Sequence, residues 1–282
     1  MTSTTSSTDR PPPSNGVVPS RDGTPISFTV TGAGPCVVLV EPVGHFRDVS
    51  AFDGVAELLA DRFSVITYDR RGRGASTTMA SPYSPQREVE DLAAIIDVAA
   101  GGSAFVYGYS SGALVALHAA AAAVAIDGLA VLEPPLHDQD AMLPDPLTSR
   151  LVELVAAGRH DDVVLEFHES IGVPSEFIDQ MRITPQWAAM VGIAPTFVHD
   201  CIISDATITD VLAAVHVPTL VLDSEASTDD LTGSAAQVAA RLPNTTHRSL
   251  PGEWHTVDDD ILAAALLDHF TPTVDTNTGE VT

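Results

Sequence analysis

The sequence predicts a doubly wound, mostly parallel α/β sheet with a helical block inserted late in the chain. Three observations carry this reading. Short, continuous apolar runs alternate with amphipathic helical stretches, as strands buried on both faces of a parallel sheet do. The pentapeptide Gly108-Tyr109-Ser110-Ser111-Gly112 joins one such run, Ala104 to Tyr107, to a strong helix former, Ala113 to Ala120. From about Asp138 to Val215 the pattern is helical, with no convincing strand.

Taken in order, the chain opens with a Ser/Thr/Pro-rich stretch that lacks the apolar core of a secretory signal, so residues 1–16 read as a disordered tail. Ile26 to Val30 alternates as a strand and ends at Gly32-Ala33-Gly34-Pro35, a hairpin-like break. Cys36 to Val40 is uniformly apolar and predicts a central strand. A helical stretch, Val55 to Ala60, leads to a second buried strand, Ser64 to Tyr68. Between Pro85 and Ala100, Val89, Leu92, Ile95, Ile96 and Ala99 share one helical face. The pentapeptide follows, then the strand Gly128 to Glu133, closed by Pro134-Pro135. Helical patterns at Leu147–Ala157, Asp161–Ile171 and Ser175–Met181 fill the block. Strand character resumes at Pro218–Asp223. A helix (Leu231–Arg241), a short strand (Thr246–Leu250) and a last helix (Val257–Phe270) complete the pattern. The expected organisation is a core of residues 17–137 and 216–271, a lid of residues 138–215 over the carboxyl ends of the strands, and a flexible C-terminal tail, 272–282.

Composition narrows the partners. The 282 residues suffice for one large domain, and the formal charge of −25 repels nucleic acid and anionic membranes. The longest apolar stretch, Ala113 to Ile126, is interrupted by His118 and is too short to span a bilayer. Cys36 and Cys201 form neither a disulfide framework nor a zinc spacing. With no metal-ligand cluster and no dinucleotide fingerprint, no cofactor is expected. The expected protein is cytoplasmic, a monomer or homodimer, with a small hydrophobic molecule as its substrate.

The chemistry centres on Ser110. A turn that tight between strand and helix strains the serine backbone and lifts its hydroxyl, while Cβ atoms at Gly108 or Gly112 would collide with neighbouring elements. The helix N-terminus behind it favours developing negative charge. A hydroxyl needs a base. Leu250-Pro251-Gly252-Glu253-Trp254-His255 places His255 after the last strand and a Pro-Gly turn, where this architecture carries its histidine.

These segments resemble the α/β-hydrolases of the lidded, epoxide-hydrolase and esterase-like kind. The matching residues are the Val37–Val40 strand, Asp69-Arg70-Arg71-Gly72-Arg73-Gly74-Ala75-Ser76, Gly108 to Gly112, and Gly252 to His255, within Ile26 to Phe270. The family's D-x-R-G-x-G-x-S turn is matched in full at Asp69 to Ser76; its glycines serve tight geometry and its arginines pair with carboxylates. The resemblance implies a Ser–His–acid triad, but the acid departs from the family's pattern. Family members usually place it after the strand equivalent to Thr219–Leu222, where this chain has Ser227 at the aspartate's position. Asp229 and Asp230 lie out of register. Some relatives, including certain haloalkane dehalogenases, carry the acid at the end of the strand after the elbow helix, which here is Glu133. The expected triad is therefore Ser110, His255 and Glu133, with Asp229 or Asp230, or a dyad without an acid, as alternatives.

The oxyanion hole departs as well. Its expected donors are the N–H groups of Ser111 and Val43, but the family's His-Gly pair before the latter is replaced by Glu41-Pro42. Proline lacks a donor, and an ionised Glu41 would oppose an oxyanion or serve other acid/base chemistry. Glu41, His45, Tyr109, Trp187 and Trp254 are the expected substrate-binding residues. An apolar pocket under the lid, with Phe167, His168, Phe177, Met181, Met190, Phe197 and His199 as further candidates, suits a small to medium hydrophobic ester or lactone. The alternatives are a biosynthetic enzyme using the site for C–C cleavage, dehydration, cyclisation or elimination, and a non-catalytic ligand-binding relative.

Overall fold

The computed structural model describes residues 10–77, 80, 82–137 and 144–271. The tails expected at 1–9 and 272–282, and the start of the helical block at 138–143, lie outside the described residues. The chain begins with β1 (Ser14–Pro19) and β2 (Pro25–Gly32), an antiparallel pair in which Val17 faces Ser27. This corrects the expectation of a tail reaching residue 16. Thr29 Oγ1 donates to Asn15 Oδ1 at 2.7 Å, and Gly16 lies so close under the Phe28 ring that a Cβ there would stand 2.6 Å from Cε1. Cross-strand pairing thus overrides the coil-like composition of Ser14-Asn15-Gly16.

β3 (Cys36–Val40), α1 (Asp53–Leu59), β4 (Ser64–Tyr68), α2 (Pro85–Val98), β5 (Ala104–Tyr109), α3 (Ser111–Ala121) and β6 (Ile126–Leu132) follow. The break at Gly32–Pro35 is not a hairpin: β2 pairs antiparallel with β4, and β3 pairs parallel with β4. Gly32, at φ +84°, crosses beneath the turn after α1, where a Cβ would meet the Ala60 carbonyl oxygen at 2.5 Å. Six helices come next: α4 (Pro146–Ala156), α5 (His160–Ser170), α6 (Ser175–Arg182), α7 (Pro185–Gly192), α8 (Pro195–Ala206) and α9 (Thr209–Ala213). β7 (Thr219–Ser224), α10 (Asp229–Arg241), β8 (Thr245–Leu250), the short pair β9 (Gly252–Glu253) and β10 (Thr256–Val257), and α11 (Asp259–Phe270) close the chain.

The main sheet has the order β1-β2-β4-β3-β5-β6-β7-β8, parallel from β4 to β8. Its central strands are apolar throughout because both faces are covered. Val38 and Val40 join the core shared with α2, α3 and α10, whereas Val37 and Leu39 join the core shared with α1 and α11. Crossovers leave β3 toward β4 and return from β4 to β5, on the other side of β3. The carboxyl ends of β3 and β5 therefore flank the switch point, where sheets of this kind hold ligands.

The inserted helices have a core of their own, built on Leu151, Val163, Trp187, Met190 and Phe197. Proline at the first turn and side-chain caps start several of them; Asp145 accepts from Leu147 N at 2.7 Å ahead of α4, and Thr184 accepts from Trp187 N at 3.3 Å ahead of α7. Val43 and Phe46, from the loop after β3, pack against this core. A Cβ on Gly44 would stand 3.1 Å from Met190 Sδ and 3.4 Å from Phe197 Cζ. The block thus lies over the switch-point loop. No single helix among the described residues is long and apolar enough to cross a membrane; α7 and α8 pass together in length and composition but meet at 71°.

Candidate active site

Ser110 stands between β5 and α3 with φ +53° and ψ −123°, and is buried. A Cβ on Gly108 would lie 2.6 Å from the Gly112 carbonyl oxygen, and one on Gly112 would lie 2.7 Å from the Glu41 carbonyl oxygen. Both flanking glycines are therefore demanded by close approach, one to the helix and one to the end of β3. Among the described residues only four non-glycines have positive φ: Ser110, Glu133 (+45°), His255 (+54°) and Ala123 at the end of α3. Such backbones cost about 1–3 kcal/mol each and persist where the surroundings over-determine them. Three of the four are the residues expected to form the triad.

His255 lies between β9 and β10, and its Nδ1 is hydrogen-bonded to Glu133 Oε2. Glu133 follows β6 directly and is fully buried. Its other oxygen accepts from Ser224 N at 2.8 Å. Burial pushes the Glu133 carboxyl upward, but hydrogen bonds from His255, Ser227 and Ser224, with the charge of His255, outweigh it and hold the group below the ordinary carboxylate range. Asp229 and Asp230 are exposed in the first turn of α10, on a helix start that suits carboxylates. Ser227, at the position expected of an aspartate, accepts from His255 N at 2.9 Å.

The loop after β3 forms a turn closed by His45 N donating to the Pro42 carbonyl at 3.4 Å, with Gly44 at φ +74° in its third position. That closure leaves the N–H of Val43, the second residue, outside the turn's own bond. Ser111 is the first residue of α3, so its N–H is outside the helical ladder. The buried arginines of the Asp69–Ser76 turn hold the loop. Arg73 Nη1 donates to the His45 carbonyl at 3.1 Å and the Pro42 carbonyl at 2.5 Å, and Arg70 Nη1 donates to the Glu41 carbonyl at 3.1 Å. Both guanidiniums meet Asp200 on α8, at 2.8 Å from Arg70 and 2.6 Å from Arg73. Arg70 also pairs with Glu88 at 2.7 Å, and Arg71 with Asp91 at 2.6 Å. The arginines pair with carboxylates as expected, but their grip on the loop and their tie to the inserted helices were missed. Asp200 is 127 residues from Arg73, and nothing local in the sequence joins them.

Asp200 is fully enclosed; burial raises its proton affinity, but Arg73 and Arg70 outweigh this and keep the carboxyl below the usual range. Asp200→Ala leaves two buried guanidiniums short of a partner. The expected loss is about 3–5 kcal/mol, read as a lower urea midpoint.

Three of the expected substrate-binding residues make defined contacts within the protein. The Glu41 carboxyl has no exposed surface; it accepts from Ser50 Oγ and, at 3.2 Å, from Ala51 N. The Trp187 ring is buried in the core of the insertion, with Nε1 donating to Asp161 Oδ1 at 2.7 Å. Tyr109 is half-buried, and its hydroxyl donates to the His255 carbonyl. His45, half-buried, bonds the Val43 carbonyl through Nδ1 at 2.8 Å, and Trp254 is 40% exposed beside His255. Phe177 is exposed.

Burial moves the Glu41 acid from 4.5 to about 7. A raised carboxyl pKa favours the folded state most at low pH, below the unfolded value, and that contribution disappears as pH rises through the folded value. Wild-type stability relative to Glu41→Gln should therefore fall by about 3 kcal/mol between pH 4.5 and 8. Urea titrations of both proteins at the two pH values read this; a constant difference would refute it.

A parallel sheet with a strained serine at its switch point and a carboxylate-bound histidine beyond its last strand defines the α/β-hydrolase class. The alpha/beta hydrolase family model matches residues 36–265, and the chain belongs to that family of enzymes. An alpha/beta hydrolase from Sphaerobacter thermophilus is 43% identical, covering 91% of this chain and 100% of that one, with a TM-score of 0.82. The enol-lactonase of Burkholderia xenovorans shares the fold at TM-score 0.67, with 18% identity over 90% of this chain and 99% of that one. Among curated proteins, a 2-(acetamidomethylene)succinate hydrolase from Mesorhizobium japonicum is 29% identical over 47% of this chain. The uncharacterised hydrolase YraK of Bacillus subtilis is 34% identical over 34% of this chain. The chain spans 51% and 35% of the lengths of these two relatives.

Proposed function

We propose that this enzyme hydrolyses a small to medium hydrophobic ester or lactone through an acyl-enzyme on Ser110. The observation that carries the reading is the Glu133–His255 pair, held beyond the strand ends with a serine at the neighbouring elbow. Ser110 Oγ attacks the carbonyl carbon and passes its proton to His255 Nε2. Glu133 holds Nδ1–H and stabilises the imidazolium that forms. The Val43 and Ser111 N–H groups receive the oxyanion, supported by the start of α3. Collapse expels the alkoxide, which takes the proton back from His255. Water then repeats the sequence on the acyl-enzyme, releasing the acid and restoring Ser110. The inserted helices act as a lid, with Met190 and Phe197 over the loop that carries Val43. The burial of Glu41 against Ser50 and Ala51 argues against its use as an acid or base.

The test is turnover of a panel of p-nitrophenyl esters and lactones, with mass spectrometry of the protein after exposure to a fluorophosphonate. Turnover together with a single adduct on Ser110 supports the reading. A folded protein that gives neither is not a serine hydrolase.

A further inference from the structure

We infer that Tyr109 and Ser227 are positioning residues that fix the imidazole of His255, an inference that rests on the serine-hydrolase reading. His255 stands in the two-residue connection between β9 and β10, where Glu253 faces Thr256, and its φ of +54° is one that L residues rarely hold unaided. Every polar group of the residue other than Nε2 is tied to a different part of the sheet's carboxyl edge. Its N–H donates to Ser227 Oγ, beyond β7, at 2.9 Å. Its carbonyl accepts from the Tyr109 hydroxyl, at the end of β5. Its Nδ1 is bound by Glu133, beyond β6. Two residues earlier, the Glu253 carbonyl accepts from Ser224 Oγ at 2.6 Å. The left-handed turn is thus clamped from three strands, and Nε2 is the one group left to do chemistry.

The two clamps differ in what they transmit. Tyr109 immediately precedes Ser110, so one rigid strand end carries both the nucleophile and the support of the base. Its ring also lies 5.0 Å from the His255 ring, centre to centre. Burial, then the charge of Glu133, push the phenol's proton release well above the ordinary tyrosine range, so it remains a donor throughout neutral pH. Ser227 accepts from His255 N and so keeps its own proton, and its hydroxyl is among the groups that hold the Glu133 carboxyl below the ordinary range. One hydroxyl therefore holds the backbone of the base, whose ring Glu133 orients.

The test compares Tyr109→Phe, Ser227→Ala and the conservative Ser227→Thr with wild type. The readouts are the rate of fluorophosphonate labelling at Ser110, kcat and KM on a turned-over ester, and the low-field NMR resonance of the Nδ1 proton between His255 and Glu133. Labelling and kcat should fall about 10- to 100-fold in Tyr109→Phe and Ser227→Ala. KM should be little changed, and the low-field resonance should shift or broaden. Ser227→Thr retains the hydroxyl and should restore most of the rate. Labelling of both deletions at the wild-type rate, with the resonance unmoved, overturns the positioning role and leaves the serine-hydrolase reading standing. A wild-type protein that takes no label at Ser110 overturns both. Loss of rate in a variant whose resonance is unchanged also overturns positioning, since the base would then be correctly set.

Discussion

Replacing Ser110 by alanine is expected to lower kcat on any turned-over ester by a factor on the order of 10⁶, as loss of a nucleophile does in enzymes of this mechanism. No other group at the elbow can substitute for it: Tyr109 is bonded to the His255 carbonyl, and Ser111 lies inside the first turn of α3. The change should leave the fold intact. Alanine and serine pay the same penalty at φ +53°, because that penalty comes from Cβ rather than from the hydroxyl. Ser110→Gly then supplies a control. Glycine relieves the strain, so this variant should be inactive and more stable than wild type by about 1 kcal/mol. Paired measurements of ester turnover and thermal unfolding read both effects. Persisting turnover in Ser110→Ala would refute the acyl-enzyme. A glycine variant no more stable than alanine would show that the elbow is not strained.

The parts of this molecule that the sequence made legible are those whose cause is local. Val37 to Val40 has the uniform apolarity of a strand covered on both faces, and Gly108 and Gly112 signal a close approach. Glu133 was legible for an energetic reason. A carboxylate ending an apolar strand is expensive to bury without donors, and His255 and Ser224 are those donors. Contacts set by the folded chain were illegible. Asp200 has the local surroundings of any helical aspartate, and only the packing of α8 on the Arg70–Arg73 turn makes it a counter-ion. Trp187 in an expected lid suggested a pocket wall, whereas its Nε1 found Asp161 and its ring the core of the insertion. Ser227 looked like the loss of an acid. In the structure its hydroxyl accepts from the N–H of His255, whose ring is bound by Glu133 at the end of β6.

That exchange of positions makes Glu133→Gln the second large-effect variant. The carboxylate accepts from two donors at once, one on each oxygen: Ser224 N–H and the His255 ring. Glutamine has the same shape but only one accepting oxygen. If that oxygen serves Ser224, the amide NH₂ faces His255 Nδ1, which must then become the acceptor. The imidazole is driven to the tautomer with its proton on Nε2, where it cannot take a proton from Ser110. If the amide is turned the other way, its NH₂ confronts the Ser224 N–H and a buried donor is left unsatisfied, at about 1–3 kcal/mol. Either arrangement removes the acid's function while conserving volume. The expected result is a fall in kcat of about 10³- to 10⁴-fold with little change in KM. Asp229→Asn and Asp230→Asn, exposed on the first turn of α10, should remain near wild type under the same assay. Near-normal turnover by Glu133→Gln would mean that His255 works without its acid. Collapse of turnover in either aspartate variant instead would return the acid to the loop after β7, and the buried Glu133 would be a structural carboxylate.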